Sequence, residues 1–174
     1  IMKYRIFTAI VMVWAAAFFQ SSFLGYIEVF SIRPNLMIVL MVIIALTRNI
    51  FESTAMAISL GLCMDILMGK TLGWYGLLFF LVSIPIALIN EKIYREKFLV
   101  LFTFTFGATV MIEFFFYIII FMFKGYDHLP YVFSRIVLPE ALYNSILVLP
   151  LFKPVSRVYS VLDIVDRRRN RISQ

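Results

Sequence analysis

The chain is a succession of six apolar runs, at about residues 5–24, 34–47, 50–68, 74–89, 98–123 and 131–152, with only short polar breaks between them. A helix needs ~20 apolar residues to cross the ~30 Å hydrocarbon core of a bilayer. Six crossings would use about 120 positions of the 174 available, leaving short loops and one tail but no sizeable domain outside the membrane. Composition agrees: 63% of the residues are hydrophobic and 15% charged, where soluble domains run nearer ~45–50% and ~25%. With seven Gly and six Pro there is little to interrupt helices, and the ten-residue alternation of a membrane barrel is absent. The expected fold is an all-α integral membrane protein, a six-transmembrane-helix bundle over 1–152 followed by a tail over 153–174. Met2 reads as the natural first residue, with Ile1 an addition ahead of it.

The breaks carry recognisable chemistry. The first run follows Lys3 and Arg5, exceeds a signal-peptide core in length and closes on Gln20-Ser21-Ser22 without a small-residue cleavage site, so it reads as a retained span. Pro34 suits the first turn of the second helix, where a missing N–H costs nothing. That helix covers only the 13 residues from Pro34 to Leu46, so it is expected to borrow flanking residues, to tilt little or to be the shortest in the bundle. Trp74 and Tyr75 sit where interfacial aromatics belong, and Pro85 is a kink point in the fourth span.

The basic residues divide unevenly. With the N-terminus inside, one side collects Lys3, Arg5, Arg48, Lys92, Arg95, Lys97, Lys153, Arg157, Arg167, Arg168, Arg169 and Arg171, twelve of the sixteen. The other side holds Arg33, Lys70, Lys124 and Arg135. Cytoplasmic loops carry the excess of Lys and Arg, so both termini are expected in the cytoplasm of a multi-pass inner-membrane protein. The net charge of +6 is thereby assigned to topology, with no nucleic-acid partner. In the tail, Val155, Val158, Leu162 and Val165 recur at helical spacing opposite Ser156, Arg157, Ser160, Asp163 and Asp166, which predicts an amphipathic helix along the inner surface. Its Arg167, Arg168, Arg169 and Arg171 are expected to meet anionic lipid headgroups or an acidic cytoplasmic partner.

Charges at bilayer depth cost at least ~2.5–3.5 kcal/mol each, so Asp65, Glu113, Arg135 and Glu140 must face the bundle interior, pair or take up a proton. At 1.5 Å per residue, Glu113 lies about 15 Å and Glu140 about 12 Å below the outer ends of spans five and six, a similar depth on antiparallel helices. Arg135 is expected to reach Glu113 across that pair. These residues form either a partner-binding or cavity-lining cluster or a plain structural ion pair. In span three, Ser53, Ala57, Gly61 and Asp65 are spaced by four, a small-residue stripe ending in an acid. Close packing within the monomer is the expected use of the stripe, ahead of subunit docking. Arg33, Lys70 and Arg135 are the candidate partners of Asp65.

Most chemistry is excluded. Cys63 is the lone cysteine and His128 the lone histidine, which removes intramolecular disulfides, cysteine-based zinc sites and HExxH chemistry. There is no P-loop, no GxGxxG and no spaced acidic set for magnesium, and His128 beside Asp127 reads as a solvated loop residue. No enzyme, cofactor or metal site is expected.

Four motifs in order resemble one known family: Gln20-Ser21-Ser22 closing span one, Arg33-Pro34-Asn35-Leu36 opening span two, Gly61-Leu62-Cys63-Met64-Asp65 closing span three, and Leu138-Pro139-Glu140-Ala141-Leu142-Tyr143-Asn144 with Leu149-Pro150-Leu151-Phe152 in span six. Together they resemble the rod shape-determining MreD family of the bacterial elongation machinery. Asn35 stands where that family often has an acid. The resemblance implies a non-enzymatic membrane scaffold that binds MreC and works with MreB and the RodA/penicillin-binding transpeptidase in building side-wall peptidoglycan. It also implies a fold similar to the six-helix substrate-binding components of energy-coupling-factor transporters, which supplies the alternative function of solute (vitamin) binding. A small channel or multidrug exporter using Glu113 as a proton or cation site is the third class, and no internal repeat supports it.

Overall fold

The computed structural model describes residues 2–22, 24–28, 31–69, 73–93, 98–125 and 128–172. Every regular element among them is helical: α1 (Met2–Ser22), α2 (Leu36–Thr47), α3 (Ile50–Met68), α4 (Trp74–Ile89), α5 (Phe98–Lys124), the single turn α6 (Leu129–Val132) and α7 (Leu138–Ile172). A π-turn over Phe133–Val137 joins α6 to α7. Four stretches are long and apolar enough to cross a membrane, Lys3–Ser22, Ile50–Met68, Phe98–Lys124 and Pro130–Arg168, while Leu36–Thr47 and Trp74–Ile89 are apolar but shorter. The protein is thus an all-helical membrane protein with four candidate spans and two shorter apolar helices.

The short helix α2 is the centre of the bundle. Each residue from Leu36 to Leu46 is buried, and α1, α3, α4, α5 and α7 all touch it. Its eleven apolar residues, Leu36 to Leu46, form a helix hydrophobic all round, the pattern of a fully enclosed element. At 1.5 Å per residue it is about 18 Å long, so it ends inside the depth of its longer neighbours.

The α3–α4 pair is the most extensive contact. An added Cβ at Gly61 would stand 2.6 Å from both the Gly76 Cα and the Tyr75 carbonyl oxygen, so glycine at 61 is what lets the two backbones meet. Buried Ser53 and Ala57 continue the same face of α3. Gly69 ends α3 at φ 60°, and its N–H closes onto the Asp65 carbonyl.

The tail is continuous with the helix before it. α7 continues through Pro150 and Pro154 as one helix to Ile172, and Val155 and Tyr159 are buried against the bundle. Asp163 and Asp166, marked by hydropathy as water-facing, turn toward Arg5 on α1, and Asp163 also toward Arg48 at the end of α2.

Candidate partner-binding site

The buried ends of α2 leave orphan backbone groups in an apolar interior, where each unmet group costs several kcal/mol. Side chains from distant elements meet them. At the N-terminal end, Asn35 Oδ1 accepts from the Ile38 N–H at 3.3 Å and Gln20 Oε1 from the Leu36 N–H at 2.8 Å. The Asn35 N–H donates to Asn144 Oδ1 at 2.7 Å, and Gln20 Nε2 donates to the Pro34 carbonyl at 3.2 Å. Asn144 Nδ2 in turn reaches Thr109 Oγ1 at 3.2 Å. At the other end, Asn90 Nδ2 donates to the carbonyls of Ala45 and Arg48, at 3.0 and 2.6 Å. The motif residues Arg33-Pro34-Asn35 and Asn144 therefore converge on the start of one helix.

Among the described residues Asp65 pairs with none of its candidate cations. Its carboxylate, 2% exposed, accepts the backbone N–H groups of Gly73, Tyr75 and Gly76 at 3.0, 3.1 and 3.1 Å. Those donors are free because they belong to the first turn of α4, which has no side-chain cap of its own at Gly73. An anion at a helix N-terminus is also favoured by the helix dipole. Arg33 pairs with Glu28 instead, and Lys70 lies outside the described residues.

Beside this cap a cavity of about 570 Å³ opens at the end of the bundle holding Arg33. Its polar lining includes Arg33, Glu28, Asn35, Tyr75, Glu113 and Glu140, above an apolar side made by Met64, Leu67 and Met68. Glu113 and Glu140, placed at similar depth by the sequence, share this cavity. The Tyr75 hydroxyl donates to the Glu113 carboxylate, 3.4 Å from each oxygen. Arg135 sits exposed on the π-turn, and among the described residues no ion pair joins it to Glu113, which corrects the expected bridge. Two backbone irregularities border the same space, Ser31 at φ 63° and the π-turn residue Ile136.

A second polar cluster lies at the opposite end, where α1 begins. Arg5 donates to Asp166 and Asp163 at 2.7 Å each and to Glu52. Arg48 donates to Glu52 and to both Asp163 oxygens at 2.8 and 3.1 Å, with its guanidinium 5.0 Å from the Tyr159 ring centre. Burial pulls the Arg48 pKa down, but the hydrogen bonds to Asp163 and Glu52 more than offset it and hold the charge. Arg5 and Arg48 were legible only as inner-side charges and Asp163 and Asp166 only as a polar face, because a contact between residues 5 and 166 has no local signature. Arg167 and Arg168 project outward, and the side chains of Arg169 and Arg171 lie outside those described, as does Asp127 beside His128.

The sequence model of the family described as rod shape-determining protein MreD matches residues 1–161. The chain belongs to that family. Membership in MreD makes it a rod-shape-determining membrane component. No curated protein and no solved structure matches the chain. Of the motifs that carried the MreD resemblance, three meet in space: Gln20, Asn35 and Asn144 all bind at the N-terminus of α2.

Proposed function

We propose that this MreD-family chain is a non-enzymatic scaffold of the cell-wall elongation machinery, crossing the inner membrane six times with both termini in the cytoplasm. In this reading it binds MreC and organises the peptidoglycan synthase together with MreB. The observation that carries it is the use of the buried polar groups. Asn35, Asp65, Asn90 and Asn144, with half-buried Gln20, are engaged in holding backbone ends. What faces outward is a mouth lined by Arg33, Glu28, Glu113 and Glu140, a surface suited to the outer juxtamembrane part of a single-span partner. The basic end at Arg167 and Arg168 serves cytoplasmic components or anionic headgroups.

Co-purification from detergent tests the reading. Wild-type chain is expected to bring down MreC, and the double variant Glu113→Gln/Glu140→Gln to lose most of it while expressing normally. Full MreC recovery with that variant removes the cavity from the interface, and absence of any complex with wild type removes the scaffold. The cavity size favours one second reading, a solute-binding component of an energy-coupling-factor transporter, since small-molecule sites span ~300–1,000 Å³. Tight vitamin binding, or recovery with an ATPase module in place of MreC, would establish that alternative.

A further inference from the structure

Helix α1 is the least embedded of the long helices: Ala16 is its one fully buried side chain among the described residues, while Trp14 stands 73% exposed. In lipid no hydrophobic gain draws such a helix onto its neighbours, so packing and polar contacts must hold it. Its polar contacts to the bundle gather at its two ends. Gln20 fastens one end through the Pro34 carbonyl and the Leu36 N–H. Arg5 fastens the other through Asp163, Asp166 and Glu52. Between the fastenings a cavity of about 770 Å³ lies between α1 and α3, lined by Ile10, Val13 and Ala17 on one side and Ala55, Ser59 and Cys63 on the other.

We propose that α1 is a strap, and that its Arg5 fastening sets how far it stands from α3, so that the end of α7 controls lateral opening of this cavity to the membrane. Two of the three carboxylates on Arg5 come from α7, and both lie beyond residue 161, where the family match ends. The fastening is also separable from the rest of the bundle. Arg48 binds Glu52 and Asp163 by itself, so loss of Arg5 leaves those two acids paired and frees α1 alone. An event at the C-terminal end of α7 that draws Asp166 away thereby reaches a cavity on the lipid-facing side of the bundle.

Cys63 lines the cavity and is the sole cysteine, which makes it a built-in reporter. The test is its rate of labelling by a lipid-soluble maleimide in the purified full chain. Arg5→Ala is expected to label severalfold faster than wild type, and Asp166→Asn to shift in the same direction by less. Asn144→Ala, which loosens α2 without touching the Arg5 fastening, is expected to label at the wild-type rate. A wild-type rate in Arg5→Ala that still elutes as folded protein overturns the proposal. If Arg5→Ala does not fold, a wild-type rate in Asp166→Asn overturns it, and so does an equal rise in Asn144→Ala, because the readout is then general loosening.

Discussion

At the scale of single residues, Asp65 shows how a carboxyl group in an apolar span can be held by backbone. Three N–H groups of the α4 start converge on it, and leaving a buried donor unmet costs ~1–3 kcal/mol. Asp65→Ala should therefore lower stability by at least ~2 kcal/mol, read as an earlier transition in a denaturing-detergent titration. Asp65→Asn, which keeps one acceptor oxygen, should lose less. If both variants unfold as wild type does, the cap is not what the carboxylate contributes. Gly61→Ala should destabilise by ~1–3 kcal/mol through overpacking, because its methyl group would land 2.6 Å from the α4 backbone. The spacing of Ser53, Ala57, Gly61 and Asp65 was visible in the sequence. That Gly61 and Asp65 meet α4 was not, since a period of four fixes a face and not its neighbour.

Among the elements, α2 carries the most surprising solution. A 12-residue helix would be marginal as an isolated segment in water, and too short to span a bilayer. Enclosure by five helices and amide caps at both ends resolve this, with Asn144, Gln20 and Asn90 arriving from α7, α1 and the turn after α4. Asn144→Ala should cost ~1–3 kcal/mol, since it strands the Asn35 N–H. A double-mutant cycle of Gln20→Ala with Asn144→Ala should show coupling on the order of 0.5–3 kcal/mol, as residues sharing one cap are not additive. Strict additivity in the cycle would mean that the two amides act separately. The shortness of this helix was legible from the chain; its place at the centre was not, because hydropathy records apolarity without saying whether lipid or protein supplies the surroundings.

For the molecule as a whole, the proposed orientation predicts labelling from one side only. In a Cys63→Ser background, Lys3→Cys and Lys153→Cys should resist a membrane-impermeant maleimide in intact cells, while Ser31→Cys, at the exposed opposite end, should react. Labelling of the first two with protection of the third would invert the topology. The tail behaves as part of this whole: α7 is one helix from Leu138 to Ile172, so trimming the chain after Leu162 removes both aspartates on Arg5 together with the basic end. That truncation should speed Cys63 labelling as Arg5→Ala does, and an unchanged rate would detach the tail from the bundle.

The sequence by itself determined the solvent, the helical class, the family motifs and the unequal division of basic charge, because each follows from local composition and spacing. Only the tertiary structure decided which polar groups would spend themselves on one another. Asp65 became a helix cap for α4, Asp163 and Asp166 went from a polar face to the hold on Arg5, and Arg135 turned outward from Glu113. In an apolar interior the strongest demand comes from unmet backbone and unpaired charge. Where that demand arises depends on which helix ends are brought together, which the order of residues along the chain does not state.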